Sequence, residues 1–254
     1  MAEGAFSLSL VREQAIRPQT IWELKSQMLK KWNLVSLHRG NESFDDLGGP
    51  LEPGQAWTIS PGGAGENPGL FRIEITEGPG SQVKILNKPV PPAFKESIGF
   101  AQQNMYARAT QLVGDKEPRA HEFSVQLRSF DAAKTGAKVG LAALLAMSTA
   151  LLKKSIRGGL IVCGEINLGG SIEPIHNPVS IAEIAVEKGA TALLMPVFCR
   201  RDLVDLSDDM ATKVDIQYYS DARDALLKAI TEYPVEAGGD LRRARLPGQP
   251  GRGR

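Results

Sequence analysis

Apolar residues recur along the chain with two different periods, and the switches between them mark out the elements. Between Phe94 and Val113, Ile98, Ala101, Met105, Ala109 and Leu112 repeat at helical spacing, which predicts an amphipathic helix that Gly114 stops. His121–Phe130 alternates instead, with Phe123, Val125 and Leu127 on one face, as a half-buried strand does. Gly140–Leu152, GLAALLAMSTALL, is apolar nearly all round and is therefore expected in the middle of the core. Leu160–Cys163 reads as a core strand and Ser180–Glu187 as a second amphipathic helix, with Ile181, Ile184 and Ala185 inward. Ala192–Met195 is the next strand. Arg200–Leu203 starts a short helix, Val214–Tyr218 is a strand and Ala222–Ile230 a final helix.

The first part of the chain is patterned differently. Ala56–Ile59 reads as a strand and Pro61–Gly69 as a Gly- and Pro-rich loop. Phe71–Thr76 and Val83–Leu86, joined by the turn Glu77-Gly78-Pro79-Gly80, predict a hairpin. Further upstream, Pro18-Gln19-Thr20 can cap a helix from Ile21 to Trp32 that carries Ile21, Leu24, Met28 and Leu29 on one side. Asn33–His38 follows as a short strand candidate. The final stretch, GGDLRRARLPGQPGRGR, has the Gly, Pro and Arg content of a disordered basic tail. The expected organisation is a leader with an amphipathic helix over 1–50, one domain over 51–232 and a tail over 233–254. Alternating strands and helices make the domain α/β (α+β), with a mixed sheet and packed helices.

Composition narrows the function classes. The net charge of +1, with 23% charged residues, gives no global pull toward nucleic acid or a membrane. Local exceptions are Lys25, Lys30 and Lys31 on the first helix and the Arg-rich tail, which offer a DNA-contacting reading against the simpler one of solvated surface. No apolar run reaches the length of a membrane span. Cys163 and Cys199 fall in apolar segments and read as buried thiols of a cytoplasmic protein. His38, Arg39, Glu42, Asp45 and Asp46 have no metal-ligand spacing, and His121-Glu122 lacks a second histidine four residues on, so no metal is expected. No Gly-Lys dipeptide, GxGxxG or GxSxG occurs, so no nucleotide cofactor is expected either.

Two stretches carry the chemistry: the turn Gly136-Ala137-Lys138-Val139-Gly140, opening into the apolar helix, and Gly164-Glu165-Ile166-Asn167-Leu168-Gly169-Gly170, followed by Pro174-Ile175. This layout resembles the proteolytic domain of the Lon protease family (a ribosomal protein S5 domain 2-like fold), where a Gly-Pro-Ser-Ala-Gly turn carries the nucleophilic serine. There a Gly-Glu-Ile-Thr-Leu hairpin leads to a Pro-Ile-Gly-Gly segment and the helix that bears the lysine base. On that resemblance Lys138 stands at the serine position and Val179 at the lysine position, so both halves of the Ser–Lys dyad are missing. A dyad needs a hydroxyl within reach of a lysine that burial keeps neutral, and Val179 cannot act as a base. A displaced dyad would draw on Ser129, Thr135, Ser148, Ser171 or Ser180 with Lys134 or Lys138, Thr135 with Lys138 being close in sequence. Lys138 itself is expected to point to solvent or to pair with a carboxylate such as Glu165, because a helix N-terminus disfavours a lone cation.

Over about residues 20 to 232 the chain is also similar to the C-terminal half of the Lon-related protein of BREX phage-resistance systems. The likeness rests on WNLVSLHRGNESFDDLGG, YARATQLVGDKEPRAHEFSVQLRSFDAAKTGAKVG, GEINLGGSIEPIHNPVSIAEIAVEKGA and LSDDMATKVDIQYYSDARDALLKA. That resemblance implies a ring-forming assembly, hexameric in Lon-type domains, that acts with DNA in defence against phage. Members carry an AAA-type ATPase module ahead of this region. No ATPase motif occurs in the present sequence, so ATP use is not carried over. The expectation is a Lon-like domain that serves as a non-catalytic assembly module. The alternatives are an ATP-independent serine peptidase with a displaced dyad and a DNA-contacting module.

Overall fold

The computed structural model describes residues 47–49, 51–61, 68–130 and 138–230. Strand β1 spans Gln55–Ser60, β2 Gly69–Pro79, β3 Val83–Ile85 and β4 His121–Ser129. Helix α1 runs over Pro92–Ala107, α2 over Ala109–Val113 and α3 over Gly140–Leu152. Then follow β5 (Leu160–Val162), the short pair β6 (Glu165–Ile166) and β7 (Ile172–Glu173), α4 (Pro178–Glu187), β8 (Ala192–Pro196), α5 (Asp208–Ala211), β9 (Asp215–Tyr219) and α6 (Ala222–Ala229). The main sheet is mixed and seven-stranded, in the order β3-β4-β2-β1-β5-β8-β9, while β6 and β7 pair separately. The α/β expectation holds.

The all-apolar segment does what its pattern predicts. From Gly140 to Leu151 every residue of α3 is buried, and the helix packs on β1 and β2 with α1 and α6 against it. Burying a leucine or methionine side chain contributes about 1.5–3 kcal/mol, so Leu141, Leu144, Leu145 and Met147 make α3 a principal source of stability. Its polar residues are satisfied locally: Ser148 Oγ donates to the Leu144 carbonyl and Thr149 Oγ1 to that of Ala146. Helices α4 and α6 are each capped by a side chain, Asn177 accepting from Ser180 N and Asp221 from Asp224 N.

Two expectations are corrected. Val83–Leu86 does not close a hairpin on Phe71–Thr76. Strand β2 continues through the turn-like residues to Pro79 and has both edges occupied, antiparallel by β1 and by β4. The only ladder left for β3 is the outer edge of β4, which it joins in parallel. The helix expected over Phe94–Val113 breaks at Arg108 (φ −121°, ψ 24°), which separates α1 from α2. Arg108 is drawn there by side-chain bonds to Asn104 Oδ1 and to the Gly169 carbonyl.

The expected helix over 21–32, its lysines, the strand at 33–38, the charged loop to Asp46 and the basic tail lie outside the described residues. Leu47 is buried, and its carbonyl accepts from Gly159 N at 2.7 Å. Among the described residues, no helix is long and apolar enough to cross a membrane.

Candidate functional site

The site gathers where three chain segments meet: the turn entering α3, the end of β1, and the β5–β6 junction with the segment leading to α4. Lys138 sits in that turn with φ 59°, in the left-handed region that a side-chain-bearing residue enters at a cost of about 1–2 kcal/mol. Beside it lies a cavity of about 10 Å³, lined among others by Ile59, Lys138, Gly164, Glu165, Ile175 and Ile181. That is room for about one water. Among the described residues, Lys138 is the amine that lines it.

Glu165 dominates the chemistry. It is 5% exposed, and its Oε2 accepts from Ser97 Oγ at 2.7 Å and from Gly140 N at 3.2 Å. Its Oε1 accepts from Ile166 N at 3.2 Å. Val139, the residue before α3, makes no side-chain cap, so a carboxylate from another element satisfies the first N–H of the buried helix. Burial raises the Glu165 pKa above the ordinary carboxyl value, against the three donors that favour the ionised form. The contact leaves no room for a side chain at position 140, since a Cβ there would lie 2.1 Å from Glu165 Oε1. Gly164, at φ 148°, is likewise pressed by Tyr219, whose hydroxyl donates to the Cys163 carbonyl at 2.8 Å.

The expected partner of Lys138 is corrected. Glu165 is spoken for, and Lys138 Nζ instead faces Glu173 Oε2 of β7 at 3.5 Å. Both side chains are more than a third exposed, so the pair stabilises by under about 1 kcal/mol. Val179 is the second residue of α4 and packs half-buried against the core, an apolar side chain that no proton can use.

The remaining candidates are scattered. Ser129 is exposed at the end of β4, opposite Phe71 of β2. Ser148 is locked inside α3, Ser171 lies in the β6–β7 turn and Ser180 in the first turn of α4. Thr135 and Lys134 lie outside the described residues, as do His38, Glu42, Asp45 and Asp46. Among the described residues, no group of three metal-ligating side chains comes together. Cys163 and Cys199 are buried, as expected, and burial pushes their thiols up to about 12 and about 11, far from a reactive thiolate.

Three residues of the site had no signature in the sequence. Ser97, Asn104 and Arg108 project from α1 onto the β5–β7 segment: Ser97 to Glu165, Asn104 Nδ2 to the Asn167 carbonyl at 2.8 Å, and Arg108 to the Gly169 carbonyl. Their spacings of seven and four residues, along α1 and its C-terminal cap Arg108, are visible afterwards as a polar line beside the apolar one.

A mixed sheet around a buried helix, entered by a glycine-bounded turn and facing a Gly-Glu-Ile hairpin, defines the class. The chain belongs to the Lon protease (S16) C-terminal proteolytic domain family, whose model matches residues 26–232. Among curated proteins it is similar to the Lon-like protease BrxL of Escherichia coli O9:H4 (strain HS), 23% identical over 82% of this chain and 30% of that protein. It is 24% identical to the Lon-like protease BrxL of Bacillus cereus (strain H3081.97), over 72% of this chain and 27% of the other. The Lon protease of Methylocella silvestris is 27% identical over 75% of this chain and 24% of its own length. The matched region thus spans under a third of each of these relatives.

Proposed function

We propose that this chain is a Lon-type domain without peptidase activity, and that it serves as an assembly module of a BREX-type phage-defence protein. The observation that carries the reading is the pair Lys138 and Val179 at the two dyad positions. An ammonium paired with Glu173 replaces the nucleophile, and an isopropyl group replaces the base. The chemistry left beside them cannot take over. Of the two carboxylates described beside them, Glu173 is paired with Lys138 and Glu165 is committed to Ser97 and to two backbone N–H groups, and the cavity holds about one water. The resemblance to the Lon-related protein of BREX phage-resistance systems, in line with the likeness to the BrxL relatives, supports the phage-defence context, and Lon-type domains supply the expectation of a ring, with the compartment cytoplasmic.

The test is turnover of casein by the full chain, with an active Lon protease as positive control. The expected result is no cleavage above a no-enzyme blank. Cleavage abolished by Ser129→Ala or Thr135→Ala would overturn the proposal and name a displaced nucleophile.

A further inference from the structure

The turn entering α3 and the start of β6 share a cavity that Lys138 and Glu165 both line, with room for about one water. An ammonium group is about that size. Lys138 Nζ is held by Glu173 Oε2 of β7 at 3.5 Å, a long pair with both side chains more than a third exposed, and therefore a weak one. Two residues, at most about 7 Å of chain, separate Lys138 from the Gly140 N–H that touches Glu165. A lysine stem of four carbons spans that gap.

Glu165 has an acceptor position to spare. Two carboxylate oxygens take about four donors, and three are in place: Ser97 Oγ and Gly140 N on Oε2, and Ile166 N on Oε1. The open position is on Oε1. In the neutral acid a proton takes it, and in the ionised acid a cation can. The other groups around Glu165 do not compete for it. Tyr219 donates its hydroxyl to the Cys163 carbonyl, and burial holds both Tyr219 and Cys163 neutral. Helix α4 presents Ile181, which carries no charge. Glu173 of β7 is a like charge, and Arg108, arriving from α1, is bound at the hairpin tip to the Gly169 carbonyl and to Asn104. Burial, with a smaller contribution from Glu173, raises the Glu165 pKa against its three donors, so this carboxyl ionises at higher pH than an ordinary glutamate.

We propose that Lys138 is a two-position side chain, paired with Glu173 while Glu165 is protonated and drawn into the cavity onto Glu165 Oε1 when that carboxyl ionises. The proton leaves to solvent and the ammonium takes its place, so the buried carboxylate is never left unpaired. The move gives up the ion pair that ties the α3 turn to β7, while Asn104 and Arg108 keep hold of the hairpin tip. Rising pH thus releases β7 from the turn.

The test is brief reductive methylation of the full chain at a series of pH values, with the Lys138 adduct measured by mass spectrometry relative to that of exposed Lys116. The ratio cancels the general rise of amine reactivity with pH. It is expected to fall about tenfold or more as pH rises through the Glu165 titration, because an adjacent opposite charge is worth a pKa unit or more. In Glu165→Gln the ratio should stay flat. A flat ratio in the wild type, or the same fall in Glu165→Gln, would overturn the proposal. A second readout does not depend on how well that variant folds: the carboxyl-carbon NMR titration of Glu165 in the full chain carrying Lys138→Met. Its midpoint should lie about 1–3 pH units above that of the wild type, and a midpoint that does not rise would equally overturn the proposal. Neither readout involves peptide cleavage, so the outcome is independent of the non-catalytic reading.

Discussion

Replacing Glu165 by glutamine keeps the shape of the side chain and changes what it can accept. The carboxylate takes two donors on Oε2 (Ser97 Oγ and Gly140 N) and one on Oε1 (Ile166 N). An amide has one oxygen, so its NH2 must face at least one of these N–H groups, donor against donor, in a site only 5% exposed. One lost hydrogen bond to a charged or partly charged group, with a donor left unsatisfied, costs about 1–3 kcal/mol. Glu165→Ala would orphan all three donors and cost about 3 kcal/mol or more. The pH dependence follows from burial. The folded-state pKa lies above the ordinary glutamate value of about 4.5, so the native state holds this proton more tightly than the unfolded chain. That contribution to stability is complete below about pH 4.5 and is lost as pH rises through the raised value. Glutamine has no such dependence, so its deficit should shrink as pH rises through that window. Urea unfolding followed by far-UV circular dichroism at a series of pH values measures it. A deficit that grows with pH, or none at any pH, would refute the reasoning.

Three other outcomes follow from the same structure. Leu144→Ala, in the fully buried α3, should destabilise by about 2–5 kcal/mol in urea unfolding, one of the larger single-residue effects in the domain. Glu77 bonds Lys153 at the C-terminal end of α3 and His121 Nδ1 of β4 at 2.6 Å, and its pKa is lowered, chiefly by the Lys153 bond. Its contribution is therefore present above about pH 4.5 and lost as pH falls through the depressed value, so Glu77→Gln should flatten the acid limb of a melting-temperature profile. Gly140→Ala should destabilise despite the better helix propensity of alanine, because its Cβ would displace the Glu165 carboxylate; a higher melting temperature would contradict the close contact.

The parts of the fold legible in the sequence are those governed by local period. The apolar run of α3, the alternation of β4 and the apolar strands β5 and β8 stand where the pattern puts them, because burial on all sides or on one face dictates which residues are tolerated. The pairing of β3 was not legible. Glu77–Gly80 has turn composition, but pairing depends on which sheet edge is vacant, and β4 arrives about forty residues later to fill the one beside β2. The site divides the same way. Lys138 and Val179 could be located because glycines and Pro174-Ile175 frame them. The Glu165 cage could not, since its donor Ser97 is 68 residues away and its other donors are backbone groups that any residue supplies.

The central claim is that no activated nucleophile survives in this domain, and the most direct measurement is intact-mass spectrometry of the full chain after incubation with a fluorophosphonate. The account predicts an unmodified mass with an active serine hydrolase fully labelled alongside. A stoichiometric single adduct, mapped to one serine or threonine, would contradict it.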